Sequence, residues 1–400
     1  MSLFTAVEMA PRDPILGLNE QFNADTNPAK VNLGVGVYYD DNGKLPLLQC
    51  VQAAEATMAQ APKPRGYLPI DGIAAYDSAV KSLVFGADSE PVKSGRVATA
   101  QGIGGTGGLK IGADFLKKLN PNAKVLISDP SWENHRALFI QAGFVVESHP
   151  YYDADKRGVN FDGMLGALNA AEAGTIVVLH ACCHNPTGYD ITPAQWDQVI
   201  EAVKTRQLTA FLDMAYQGFG HGIAEDGAVI GKFVAAGLSF LVSTSFSKSF
   251  SLYGERVGAL SVLCDSKEEA DKVLSQMKLV IRTNYSNPAT HGGTVVAMVL
   301  NTPALRAQWE GELAEMRVRI KAMRQKLVDG LKAAGVTQDM SFITTQIGMF
   351  SYSGLRRDQM VRLRSEFGVY GTDTGRMCVA ALNSKNIDYV CAAIAKVMSS

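Results

Sequence analysis

The chain has 400 residues, of which 47% are hydrophobic and 19% charged, with a formal net charge of −1. That length exceeds one comfortable hydrophobic core and predicts two domains, or a large domain carrying a smaller one. Scattered basic residues exclude an electrostatic nucleic-acid surface, and no uninterrupted apolar run is long enough to cross a membrane.

The first 30 or so residues are polar and broken by Pro11, Pro14 and Pro28, which predicts an arm followed by a short helix over 15–22. Glu8 sits where a signal peptide would need an apolar core, so the arm does not read as one. Residues 31–39 read as a strand containing Gly34 and Gly36, a pattern made by a bulge or by the close approach of a backbone or ligand. A helix is expected over 49–59, then a loop over 62–72 that holds Tyr67.

Residues 96–116 predict a strand, a glycine loop and a helix, an arrangement whose free amides suit an anion. Leu109 and Ile111 flank Lys110, so the P-loop pattern fails. A dinucleotide fingerprint fits loosely through Gly102, Gly104 and Gly107, without the acidic residue expected further on. A lone phosphate cradle at Gly105 and Thr106 and a plain tight turn both remain open.

Continuous apolar runs follow at 124–129, 175–180, 209–213 and 240–245, alternating with helical patterns. Strands buried on both faces read this way, which predicts an α/β fold with a mostly parallel sheet flanked by helices. Ligands of such sheets bind beyond the carboxyl ends of the strands. Those ends carry Trp132, Asn185, Asp213, Tyr216 and Ser245 to Lys248. A carboxylate such as Asp213 can keep a pyridine nitrogen protonated. Tyr216 and Asn185 can hydrogen-bond a ring oxygen, and Trp132 can cover a planar ligand. Cys182-Cys183-His184 lacks the second ligand pair of a tetrahedral site, so no metal is expected. The six cysteines show no disulfide spacing and read as reduced cytoplasmic thiols.

Lys248 stands among small hydroxyl residues, with Arg256 eight positions on. A desolvated lysine near another cation has a lowered pKa and can attack a carbonyl carbon, while Ser245 and Arg256 are suitable phosphate donors. A further strand over 257–263 and a helix over 267–281 lead to Arg282. From Pro303, apolar residues from Leu305 to Leu331 recur at steps of three and four, predicting a long helix ended by Gly335. Short strands at 348–353 and 378–382 close the chain. Arg376 stands just before the second and is suited to a carboxylate.

The stretch Ser-Phe-Ser-Lys-Ser-Phe-Ser-Leu-Tyr-Gly-Glu-Arg-Val-Gly, residues 245–258, resembles the cofactor-lysine signature of class I pyridoxal-phosphate aminotransferases of the aspartate and aromatic branch. The resemblance covers essentially the whole chain. It implies a fold-type I transferase with a large domain at 46–305 and a small one from 1–45 and 306–400. It implies that Lys248 carries pyridoxal 5′-phosphate and moves a proton, with Asp213 and Tyr216 on the cofactor ring and Trp132 beside it. Gly105, Thr106, Ser245, Arg256 and Tyr67 of a neighbouring subunit would hold the phosphate. Gly36 would lie beside the bound amino acid, Arg376 and Asn185 would take its α-carboxylate, and Arg282 would cross a homodimer interface to a dicarboxylate side chain. Substrates would be amino acids and 2-oxo acids. Tyr38-Tyr39 and the contexts of Tyr253 and Arg376 are more similar to the bacterial aromatic branch, with glutamate as the partner substrate, and Gly66 before Tyr67 is a departure that bears on the pocket. A narrow aspartate aminotransferase is the alternative, and a lyase of the same fold, a dehydrogenase and a non-catalytic regulator are the more distant rivals.

Overall fold

Side chains such as Ala210, Phe211 and Leu212 alternate between two sides of one strand, and both sides are buried. In the computed structural model, which describes residues 2–399, that alternation builds a seven-stranded sheet with an apolar core on each face. Phe211 joins Phe115, Phe139 and Met277 in one core, whereas Leu212 and Met214 join Trp196 and Phe233 in the other.

The strands are β1 (Val97–Ile103), β2 (Lys124–Asp129), β3 (Val145–Pro150), β4 (Ile176–His180), β5 (Thr209–Met214), β6 (Phe240–Ser245) and β7 (Val257–Leu263), in the spatial order β1-β7-β6-β5-β4-β2-β3. Six run parallel, and β7 lies antiparallel between β1 and β6. Six of the seven strands match the predicted runs closely; the edge strand Val145–Pro150 was not expected from the sequence, and the reversed direction of β7 is a further addition. Helices α1 (Gly104–Leu119), α2 (Glu133–Gln141) and α3 (Lys267–Asn284) contribute to the first core.

The long helix α4 spans Pro303–Ala333. It buries the expected stripe from Trp309 to Leu331, while Leu305 at its start is only partly covered. It packs against Gln49–Gln60, His291–Asn301 and the C-terminal helix Ile387–Met398.

Two expected strands come out differently. Only Val31–Asn32 of the 31–39 segment pairs, in parallel with Val369–Tyr370. Beyond it, Leu33 N–H still bonds Tyr370 O, but Gly36 passes so close to Phe350 that a Cβ there would lie 2.7 Å from its ring. The last segment forms strands at Phe350–Tyr352 and Arg376–Cys378, and residues 379–381 wind into a 3-10 turn. All six cysteines are buried and free. No helix among the described residues is long and apolar enough to cross a membrane.

Candidate active site

The six parallel strands end along one edge of the sheet, and β7, running the other way, begins there. This topology brings Gly105 after β1, Asp213 near the end of β5, Lys248 after β6 and Arg256 before β7 to a single crevice. Its lining includes Gly36, Gly105, Thr106, Trp132, Asn185, Asp213, Tyr216, Ser245, Lys248, Arg256 and Arg376, all singled out in the sequence. Tyr67 and Arg282 are not brought there by this chain. Tyr67 is 96% exposed, and Arg282 is exposed near the end of α3, bonded to Ser286 Oγ.

At one end of the crevice, α1 starts directly at the strand edge. Gly104 has φ +68°, and a Cβ there would lie 2.3 Å from Arg256 Nη2, so the guanidinium can rest against the helix start only because the position is glycine. Arg256 itself adopts φ +54°. Its Nη1 donates to Tyr253 O at 3.0 Å and more weakly to Ser247 Oγ at 3.4 Å. Helix start, guanidinium and the Ser245 hydroxyl form a cationic, donor-rich cradle suited to a phosphate.

At the centre, the half-buried Lys248 holds its Nζ 5.0 Å from the Tyr216 ring centroid. Burial lowers its pKa to about 8; Asp213 opposes the shift, and the cations of Arg256 and Arg376 add to it. Asp213 is buried, which works to raise its carboxyl, but Oδ2 lies 2.7 Å from His135 Nε2 and the net shift is downward. His135 Nδ1 meets Ser131 Oγ at 2.8 Å. Burial raises the Tyr216 phenol, so Tyr216 stays a proton-bearing donor at neutral pH. His180 beside this group is lowered to about 3 by burial and by the neighbouring His135, so it is neutral.

At the far end, Arg376 is 2% exposed. Nη1 donates to Asn185 Oδ1 at 3.0 Å and Nη2 to Gly34 O at 2.6 Å, while the buried Nε has no partner among the described residues. The guanidinium lies 4.2 Å from the Phe350 ring centroid. An unpaired donor on a buried cation calls for an anion.

Sequence reasoning missed His135, Tyr253 and Phe350. His135 lies three residues beyond Trp132 on α2 and meets Asp213 only in three dimensions. Tyr253, whose hydroxyl receives Tyr38 N–H at 3.0 Å, was quoted within a motif without being given a role. Phe350 carried no signal beyond that of a strand aromatic. The rest of the wall mixes apolar residues, among them Ile15, Leu16, Val35, Val37 and Leu109, with polar ones, among them Asp13, Glu133 and Asn134.

Comparisons with known proteins agree with this geometry. A family model described as aminotransferase class I and II matches residues 28–394. An aspartate aminotransferase of Pseudomonas aeruginosa is 62% identical over 398 residues, covering 100% of both chains. An aromatic-amino-acid aminotransferase of Escherichia coli is 51% identical, over 99% of this chain and 100% of its own. The crystal structure of an aromatic-amino-acid aminotransferase from Burkholderia pseudomallei, covalently bound to pyridoxal phosphate, superposes with a TM-score of 0.97 at 67% identity, over 99% of this chain and 100% of its own.

Proposed function

Because this chain belongs to the aminotransferase class I and II family, we propose that its crevice moves amino groups between aromatic or dicarboxylic L-amino acids and 2-oxo acids, with pyridoxal phosphate as cofactor. The fold is that of the fold-type I aminotransferases. The observation that carries the proposal is the meeting in one crevice of the Lys248 amine, drawn down to about 8 chiefly by burial, with the buried Asp213 carboxylate and the guanidinium groups of Arg256 and Arg376.

The residues fit the cofactor. The cradle of Gly104, Gly105, Thr106, Ser245 and Arg256 matches a phosphate, and the ionised Asp213 matches a protonated pyridine nitrogen. When bound, pyridoxal phosphate supplies an aldehyde that links to amines and a ring that accepts electrons from the adjacent carbon. Lys248 Nζ, neutral in half the molecules near pH 8, is available first as the attachment point and then to take up and return a proton. Asp213, held by His135, stays ionised, and Tyr216 and Asn185 would donate hydrogen bonds to the ring oxygen. Trp132 would cover the ring, while Arg376 and Asn185 would hold the substrate's α-carboxylate beside Gly36.

The apolar part of the lining, with Ile15, Leu16, Val35 and Val37, favours an aromatic side chain. Acidic side chains need a second cation, and we assign that role to Arg282 of a second copy, together with its Tyr67 on the phosphate. Both residues stand exposed on this chain, which supports a homodimer with shared sites. The division into 46–305 and the two flanking segments, and a cytoplasmic location consistent with six free thiols, belong to the same proposal. The test is a single-turnover reaction of the cofactor-loaded protein with tyrosine, phenylalanine or aspartate, followed by absorbance. Conversion by both classes is expected; conversion by aspartate alone would reduce the function to the narrow alternative, and no conversion would overturn it.

A further inference from the structure

Helix α4 touches the crevice at no reacting group, yet it donates to the main chain of two different parts of it. Near its start, Trp309 Nε1 donates to Ser249 O at 2.7 Å, and its ring stacks on Phe250 at 4.6 Å. This bond holds the residue next to Lys248. Four turns later, Arg324 is 2% exposed and gives Nη2 to Gly348 O at 2.7 Å and to Phe350 O at 2.6 Å, and Nη1 to Ile343 O at 3.3 Å.

A buried cation whose acceptors are all main-chain carbonyls is a costly way to hold a loop. Its benefit lies in geometry: one planar fork fixes three carbonyls at once, which a lysine ammonium at the end of a flexible stem does not reproduce. The segment so fixed carries Phe350, whose ring packs on the Arg376 guanidinium at 4.2 Å and meets the Tyr216 ring edge-on at 5.7 Å. The same segment is tied to the turn carrying Asn185, because Ile347 N–H bonds Gly188 O at 2.8 Å. Asn185 in turn accepts from Arg376.

We propose that Arg324 is a positioning residue for carboxylate recognition, fixing Phe350 and the Asn185 turn so that the Arg376 guanidinium keeps one orientation. The inference rests on the assignment of Arg376 to the substrate carboxylate. Trp309 supports the Lys248 side through a separate segment, so the two halves of the crevice are set independently by one helix.

The experiment uses cofactor-loaded protein and two readouts besides turnover. One is the affinity for 3-phenylpropionate, a carboxylate without an amine, from absorbance titration; the other is the pH midpoint of the cofactor absorbance. Arg324→Lys is expected to weaken 3-phenylpropionate binding about tenfold with the midpoint unchanged. Trp309→Phe is expected to move the midpoint with little change in affinity. Phe350→Leu should reproduce the Arg324→Lys loss, and the double variant should lose no more than either alone. Should Arg324→Lys not fold, wild-type affinity in Phe350→Leu would still overturn the proposal. Wild-type affinity in folded Arg324→Lys would overturn it too, as would a shift of both readouts together in every variant. Arg376→Lys separates the two inferences: if it binds 3-phenylpropionate like wild type, the carboxylate assignment itself is wrong.

Discussion

Asp213 Oδ2 and His135 Nε2 lie 2.7 Å apart, both buried, and the second ring nitrogen of His135 is tied to Ser131. The histidine is thus the main group opposing burial and keeping the carboxylate ionised. His135→Leu leaves Asp213 with burial acting to raise it, so cofactor affinity and turnover should each fall about tenfold. Asp213→Ala removes the charge altogether and should cost more on both counts. Equilibrium dialysis of the loaded protein reads the first quantity, and unchanged values in His135→Leu would take the residue out of the site.

Lys248 sets a pH dependence whose sign follows from its lowered pKa. Between about 8 and the ordinary lysine value of 10.5, the unfolded chain holds a proton that the folded chain has released. Cofactor-free protein therefore gains stability as pH rises through that window. Attachment of the cofactor, which needs the neutral amine, should accelerate with a midpoint near 8. Stopped-flow absorbance of the cofactor-free protein checks this, and a midpoint near 10.5 would contradict the geometry.

Arg376→Lys keeps the charge but loses the fork that reaches Asn185 and Gly34 together. KM for every amino acid substrate should rise about a hundredfold, with kcat less affected. Steady-state kinetics across aromatic and acidic substrates measures it. A loss confined to acidic substrates would move the α-carboxylate elsewhere.

Gly104→Ala places a methyl group against Arg256 at a positive φ. The expected cost is about 1–2 kcal/mol in stability, together with weaker retention of the phosphate. Thermal unfolding with and without cofactor should show the loaded protein losing more than the free one.

Arg282 lies away from the crevice of its own chain, so Arg282→Leu tests the shared-site proposal. Dicarboxylate turnover should drop about tenfold or more while aromatic turnover changes little. Light scattering should show two copies per particle. Equal losses for both substrate classes would speak against a side-chain role for Arg282.

Much of this arrangement is legible in one sequence because buried parallel strands advertise themselves. The run 240–245 needs no partner to look apolar on both sides, and the polar residues after it gain meaning from where such strands end. Direction is not legible: 257–263 is as apolar as its neighbours, and only its pairing reveals that it is reversed. The 31–39 segment has strand-like composition, but Phe350 crowds Gly36 and the ladder stops after Asn32. His135 and Asp213 are 78 positions apart in the chain, and neither spacing nor composition links them. Tyr67 and Arg282 were reached through resemblance alone, and an isolated chain leaves both in solvent.

The reversed strand has one more consequence. Ser245 and Gly258 face each other as rungs of the β6–β7 ladder, and Phe246 N–H closes on Val257 O at 3.0 Å. Lys248 and Arg256 therefore sit on the same closed loop, whose two ends are pinned a single rung apart. Their separation is therefore set first by the length of that local loop. An insertion of one residue between 249 and 255 should uncouple attachment of the cofactor from anchoring of its phosphate, whereas the same insertion just after Leu263 should leave the two in step.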